Sequence, residues 1–205
     1  CFRKTFGAIP GVKVGTWFET RALCSQAAIH APWVAGIYGD PQKGAYSIAL
    51  SGGYADDVDL GEAFTYTGAG GRDLKGTKDK PKNLRTAPQS KDQSFDHHLN
   101  KCLKRSAETK RPIRVIRGFK LPSPYAPKEG YRYDGLYCVE KAWMDQGLEG
   151  FLVCKYAMKR LPGQPPLPTQ SEDSDEEDAD AAEEDADEEE ADDAEESKDD
   201  EDDDE

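Results

Sequence analysis

Apolar and polar residues alternate in several short segments, which predicts a protein built mainly from β-strands. Most of these segments are rich in β-branched and aromatic residues, which favour extended structure. The segments are 9–18, 33–37, 46–50, 113–119, 133–143 and 150–156. The sequence GDPQKG (39–44) predicts a turn between the second and third of them.

Two other segments have features of helices. Residues 21–29 (RALCSQAAI) predict a short helix, which Pro32 ends because the residue before a proline avoids the helical region. Residues 90–105 predict a second helix with Ser90 as its N-cap. Its apolar face would carry Phe95, Leu99, Cys102 and Leu103.

The stretch SGGYADDVDLGEAFTYTGAGGRD (51–73) combines glycines, two tyrosines and acids. Glycines let the backbone approach a ligand closely, and two tyrosines can cover both faces of a flat ring. A carboxylate can accept a hydrogen bond from an exocyclic amine. These are the groups needed to hold a nucleobase that has left its helix.

This stretch resembles the pocket loop of the SRA (SET- and RING-associated) domain, also called the YDG domain. Tyr133-Asp134-Gly135 matches the motif behind the second name, and further matching blocks place the similarity at about residues 7–160. The blocks are VAGIYGDPQKGAYSIAL (34–50), RPIRVIRGF (111–119), YAPKEGYRYDGLYCVEKAW (125–143) and GFLVCKYAMKR (150–160). The resemblance implies an α+β, mainly β fold: a PUA-like, saddle-shaped β-barrel with short flanking helices. It also implies binding of double-stranded DNA containing 5-methylcytosine, with the modified base flipped into a pocket.

The resemblance assigns the pocket residues by position. Tyr54 and Tyr66 would sandwich the base, and Asp57 would accept from the cytosine amino group. Ser51, Gly52 and Gly53 would offer backbone groups, Thr67 would line the pocket, and Ala69 would lie near the methyl group, where a serine is common in relatives. The alternative is that both tyrosines are core residues of a hairpin. Asp56 and Asp59 are interpreted as turn residues or solvated acids.

Two elements would enter the DNA. Val34 corresponds to a thumb that wedges into the space left by the base. The finger corresponds to Thr77, Lys78, Asp79 and Lys80, where relatives involved in maintenance methylation carry Asn-Lys-Arg. Asp79 replaces the arginine that contacts the orphan guanine, so a strict preference for hemimethylated CpG is not expected.

Basic residues near these elements are candidate phosphate contacts. They are Arg72, Lys75, Lys82, Arg85, Arg114 and Arg117, with Lys78, Lys80, Lys110 and Arg111 as further candidates. For Arg72 an alternative is that it pins the glycine turn internally together with Asp73.

The C-terminal residues 171–205 are strongly acidic, whereas the rest of the chain has an excess of basic residues. Residues 171–205 contain 25 of the 41 acids and one base, which leaves 26 bases and 16 acids in the body. We predict an SRA domain at 1–165, a proline-rich spacer at 162–170 and a disordered acidic tail at 171–205. The tail is a solvated appendage, a DNA mimic that covers the basic body, or a binding segment for histones or other chromatin proteins.

Several function classes find little support. Five dispersed cysteines without a CxxC pair predict a reduced intracellular protein, and no apolar run reaches membrane length. His98 and Cys102 are too few for a closed zinc site, and GAGGRD lacks the Lys-Ser/Thr of a phosphate loop.

We therefore predict a monomeric, non-catalytic nuclear reader of methylated DNA that uses no metal or cofactor. The rival hypotheses are an enzyme that modifies or excises the flipped base, and a histone-binding protein. Because the chain begins with Cys1, we expect a fragment or a processed form, and catalysis would need an attached domain.

Overall fold

The computed structural model describes residues 4–72 and 88–170. In this part of the chain the first half contains β1 (Trp17–Phe18), α1 (Arg21–Gln26), β2 (Ile37–Asp40), β3 (Gly44–Leu50), β4 (Val58–Asp59) and β5 (Ala63–Thr67). The second half contains α2 (His98–Thr109), β6 (Ile113–Gly118), β7 (Tyr131–Gln146) and β8 (Leu152–Arg160). The mainly β, α+β class with short helices is confirmed.

The described strands form one sheet in the order β2-β3-β6-β7-β8-β5-β4, with β1 paired to β7. All neighbours are antiparallel except β3 and β6, which run parallel. β3 and β6 are buried along their whole lengths, as expected for strands covered on both faces. Helix α2 covers one side of this sheet through Cys102, Leu103 and Ser106.

Two predicted strands are largely wrong. Residues 9–16 form turns, with Gly11 and Gly15 at positive φ, so only Trp17–Phe18 is a strand. Residues 33–36 form a loop, and β2 begins at Ile37 and continues to Asp40, inside the predicted turn.

The second helix begins later than predicted. Residues 90–93 bond to other parts of the chain: Ser90 and Lys91 donate to the Gly71 carbonyl, and Gln93 donates to that of Leu152. These contacts hold the segment outside a helix. The N-cap is therefore His97, whose ring nitrogen accepts from the Leu99 N–H, and not Ser90.

The predicted spacer is largely exposed but is bonded to the domain at Gln164 and Gln170. Gln164 bonds to both backbone groups of Leu136, and Gln170 bonds to Pro124 and Ala126. The described residues up to Gln170 thus belong to one compact unit, and residues 171–205 lie outside the described part. No helix in the described ranges is long and apolar enough to cross a membrane.

Candidate nucleic-acid interface

The pocket loop, residues 51–57, connects β3 to β4 through a turn that only glycine fits. Gly52 has φ +77°, and a Cβ there would lie 2.6 Å from the Lys120 carbonyl oxygen. Gly53 would meet nothing within 4 Å. The loop is therefore pressed against residue 120 at Gly52 and open at Gly53.

Asp57 is partly exposed and lies next to the end of β5. Its Oδ1 accepts a hydrogen bond from the Thr67 N–H at 2.8 Å. Burial raises the pKa of this carboxyl group to about 7, although the Thr67 groups and Arg72 act to lower it. Asp57 is thus a carboxyl group whose pKa lies near neutral pH.

Tyr54 is stacked beneath a guanidinium group. The Arg72 Cζ lies 4.0 Å from the centroid of the Tyr54 ring, and Arg72 also donates to the Gly53 carbonyl. Burial raises the pKa of the Tyr54 phenol. Arg72 thus has internal contacts, but with Tyr54 and Gly53 of the pocket loop; Asp73, its expected companion, lies outside the described residues.

Tyr66 borders the same site from β5. Its side chain is 7% exposed and belongs to the main core cluster, and its hydroxyl donates to the Gly36 carbonyl at 3.1 Å. Burial raises the pKa of the phenol, as do the neighbouring charges of Asp57 and Tyr54. The structure therefore brings Tyr54, Asp57, Tyr66 and Thr67 to one place, with Tyr66 also acting as a core residue.

Val34 lies at the tip of an exposed loop, residues 31–36, which we call the thumb loop. Val34 is 54% exposed and its neighbour Trp33 is 61% exposed, so two large apolar side chains face solvent side by side. The Arg21 guanidinium holds the backbone behind them by donating to the carbonyls of Pro32 at 3.1 Å and Ala35 at 2.6 Å. The tip is thus apolar and its base is fixed.

A buried histidine completes this support. His30 Nε2 donates to the Ala35 carbonyl at 2.9 Å, so Nδ1 accepts from the Ser47 hydroxyl at 2.8 Å. Burial, together with the nearby Arg21 charge, holds the pKa of His30 well below its usual range, which keeps the ring neutral. Sequence reasoning missed Arg21 and His30, since nothing in the pattern shows that they bond to backbone carbonyls.

Two predicted phosphate contacts are wrong. Arg114 is 1% exposed and donates to the carbonyls of Ile29, Thr5 and Gly7. Arg117 is fully buried and donates to Asp59 and Asp134. Both side chains are buried and donate their hydrogen bonds to acceptors inside the protein, so neither can reach a DNA phosphate.

Asp59 is likewise not a solvated turn residue. Both of its carboxylate oxygens bond to Arg117, and Ser123 donates to it at 2.7 Å. Burial acts to raise the pKa of Asp59, but Arg117 and Ser123 outweigh it and lower that pKa. Because Asp134 of the YDG motif also pairs with Arg117, this network ties β4, the strand that follows the pocket loop, to β6 and β7.

Asp56 also has a structural role. Its Oδ1 accepts from the Leu148 N–H at 3.0 Å and lies 3.7 Å from the Lys155 ammonium nitrogen. It therefore fastens the pocket loop to the hairpin between β7 and β8, where the sequence had suggested only a turn or a solvated acid.

The remaining predicted phosphate contacts either bond within the domain or lie outside the described residues. Lys110 donates to the carbonyls of Val139 and Glu140, and the Arg111 guanidinium covers the Phe6 ring. The predicted residues Lys75, Thr77, Lys78, Asp79, Lys80, Lys82 and Arg85 lie outside the described part. Within residues 4–72 and 88–170, no group of three or more His, Cys, Asp or Glu is arranged to hold a metal ion.

A family model described as SAD/SRA domain matches residues 5–164. The chain is also 66% identical over 175 residues to a UHRF1-like protein of Cryptococcus neoformans var. grubii. That match covers 85% of this chain and 51% of the relative, so the chain spans about half the length of that protein.

Solved structures share the fold. A modification-dependent restriction endonuclease, TagI, superposes with a TM-score of 0.72 at 38% identity, covering 80% of this chain and 54% of that one. The SRA domain of SUVH5 in complex with hemimethylated CG DNA superposes with a TM-score of 0.63 at 39% identity, covering 80% of this chain and 99% of that one.

Proposed function

The chain belongs to the SAD/SRA domain family, and from this premise we propose that it binds double-stranded DNA containing 5-methylcytosine and holds the modified base outside the helix. The observation that carries this proposal is the meeting of Tyr54, Asp57, Tyr66 and Thr67 at one site. The SUVH5 relative with the same fold is bound to methylated DNA. The pocket residues Ser51, Gly52, Gly53 and Ala69 would surround the same base.

Asp57 would select cytosine over thymine. When ionised, its free carboxylate oxygen accepts from the N4 amine of cytosine, whereas thymine presents the O4 carbonyl at that position. Two opposed acceptors repel, and thymine carries the same methyl group as 5-methylcytosine. Discrimination between these bases would therefore rest on the carboxylate.

The two tyrosines would offset the cost of extracting the base. Stacking a base on an aromatic ring contributes roughly 1–3 kcal/mol, and unpairing and unstacking it costs a few kcal/mol. Stacking on one ring does not offset the free-energy cost of extracting the base, but stacking on both Tyr54 and Tyr66 nearly does. Arg72 holds the Tyr54 ring in place before DNA arrives, which reduces the ordering cost.

The thumb loop would fill the space left in the DNA. Trp33 and Val34 are the exposed apolar tip of a loop held by Arg21 and His30. Apolar wedges of this kind separate base steps in other DNA-binding proteins. The finger at residues 77–80 remains a prediction from the sequence, as do the phosphate contacts Lys75, Lys82 and Arg85.

We propose that this domain is a reader without catalytic activity of its own and acts in the nucleus. The TagI relative, an endonuclease, is matched over only 54% of its length, consistent with catalysis by a part that this chain does not match. The alternative is an enzyme that excises or modifies the flipped base. Incubating methylated duplex with the protein and assaying abasic sites and base composition separates them, because a reader returns its DNA unchanged.

The binding proposal is tested with duplexes of one sequence that are unmodified, methylated on one strand or methylated on both. Fluorescence anisotropy with the wild type, Tyr54→Ala and Asp57→Asn should show preference for methylated DNA only in the wild type. Glu108→Gln is the control, because it also removes one carboxylate charge, from an exposed ion pair with Arg105 on helix α2. Equal affinity of the wild type for all duplexes would contradict the proposal.

A further inference from the structure

The turn at residues 68–71, which we call the glycine turn, is held by a buried amide from helix α2. Asn100 is fully buried. Its Nδ2 donates to the Ala69 carbonyl at 2.9 Å, and its Oδ1 accepts from the Ala69 N–H at 2.7 Å. One side chain therefore satisfies both backbone groups of the residue expected beside the methyl group.

A second amide holds the carbonyls on either side of Ala69. Gln93 is 4% exposed, and its Nε2 donates to Gly68 at 2.8 Å and Gly70 at 3.1 Å. Its Oε1 accepts from the Cys154 N–H at 3.0 Å, which ties the turn to β8. Gln93 also lies close enough to the Tyr54 phenol to influence its pKa.

The glycine turn has no room to shift toward these amides. A Cβ on Gly68 would lie 2.5 Å from Asn100 Oδ1, and one on Gly71 would lie 3.1 Å from Gln93 Cγ. Close packing on that side means that a change in the amide framework must move Ala69.

We infer that Asn100 and Gln93 are positioning residues that set the preference for methylated over unmodified cytosine by fixing Ala69. This inference rests on the proposed function. Neither side chain needs to contact DNA, because both act by holding Ala69, the apolar residue that a 5-methyl group would contact. The van der Waals attraction between Ala69 and the 5-methyl group falls steeply if Ala69 moves by a fraction of an ångström. Unmodified cytosine has no methyl group at that position, so its binding does not depend on this contact.

The test compares Asn100→Asp and Gln93→Glu with wild type on matched methylated and unmodified duplexes. Each replacement keeps the shape and the acceptor but removes the N–H donors to Ala69, Gly68 or Gly70. Gln164→Glu is the control, because Gln164 Oε1 and Nε2 clamp the Leu136 N–H and carbonyl at 2.7 and 2.8 Å in the same manner but outside the site. Thermal melts establish that each variant is folded.

We expect the ratio of the two affinities to fall about fourfold in both site variants, the factor that burial of one methyl-sized group is worth. The ratio should persist in Gln164→Glu. An unchanged ratio in both folded site variants, with preference intact in the wild type, overturns the inference. Absence of any preference in the wild type defeats the proposed function instead. If Asn100→Asp does not fold, Gln93→Met, which is neutral and similar in length, decides the question by the same ratio.

Discussion

The phenol of Tyr66 donates a hydrogen bond to the Gly36 carbonyl at 3.1 Å and so joins the proposed pocket to the thumb loop. The contact is close on both sides: a Cβ on Gly36 would lie 2.6 Å from the Tyr66 hydroxyl oxygen. The position of the aromatic ring and that of the loop tip are therefore linked through one pair of residues.

Gly36→Ala should weaken binding to methylated duplex by about tenfold, a change of about 1.4 kcal/mol, because the added methyl group displaces the Tyr66 ring. Anisotropy titrations measure the effect. In the double variant Gly36→Ala/Tyr66→Phe the clashing hydroxyl is absent, and part of the affinity should return. Equal losses in the single and double variants would show that the ring and the thumb loop are not coupled in this way.

Binding should strengthen as pH rises through about 7. The pKa of Asp57 lies at about 7 in the DNA-free protein, so the acceptor form gains population between pH 6 and 8. Affinity for methylated duplex measured across this range should increase in the wild type, and Asp57→Asn should lose that dependence. A pH profile that is the same in both proteins would remove Asp57 from the recognition step.

The same group gives the opposite trend in folding stability. The pKa of Asp57 is raised in the folded state from an ordinary value near 3.8 to about 7, so between these values the folded protein holds a proton that the unfolded chain has released. The Asp57 contribution to the free energy of unfolding therefore falls as pH rises from about 4 to 7. Urea titrations of wild type and Asp57→Asn should diverge over this window, with the variant less sensitive to pH.

Breaking the buried ion-pair network of Asp59, Arg117 and Asp134 should lower the free energy of unfolding. Asp59→Ala leaves Arg117, which is fully buried, without one of its two carboxylate partners, and losses of about 3–5 kcal/mol in the free energy of unfolding are typical of such changes. Urea unfolding checks this value. Arg105→Ala is the control, since its ion pair with Glu108 is exposed and should contribute less than about 1 kcal/mol. Similar small losses in both would contradict the network's role.

The exposed tip of the thumb loop should matter for DNA and not for folding. Trp33→Ala and Val34→Gly should each reduce affinity for methylated duplex several-fold, because the wedge fills the vacated stack, with little change in the melting temperature. Leu148→Ala serves as the control, since Leu148 is 76% exposed on the hairpin between β7 and β8. Unchanged binding in both thumb variants would exclude this loop from the interface.

Local pattern predicted most of the strands, whereas the grouping of Tyr54, Asp57, Tyr66 and Thr67 came from the resemblance to the SRA family. The local pattern gave wrong predictions where contacts with residues far along the chain determine whether a side chain is buried. Arg114 and Arg117 look like surface cations in an alternating strand, yet carbonyls and carboxylates far along the chain satisfy them in the interior.

The helix boundary failed for the same reason. The sequence predicted that residues 90–93 are helical, but their backbone N–H groups bond to the carbonyls of Gly71 and Leu152, so they adopt a non-helical conformation. The amides of Gln93 and Asn100 carried no signal at all, because amide side chains are common on surfaces and only the fold shows what they hold.

Extraction of the methylated base is the central claim, and the fluorescence of 2-aminopurine placed next to 5-methylcytosine tests it most directly. A neighbouring base that loses its stacking partner becomes brighter, so we expect the fluorescence to rise when the wild type binds methylated duplex. Unmodified duplex, and the Asp57→Asn variant with either duplex, should give little rise. Tight binding of the wild type to methylated duplex with no change in this fluorescence would show that the methylated base stays in the helix.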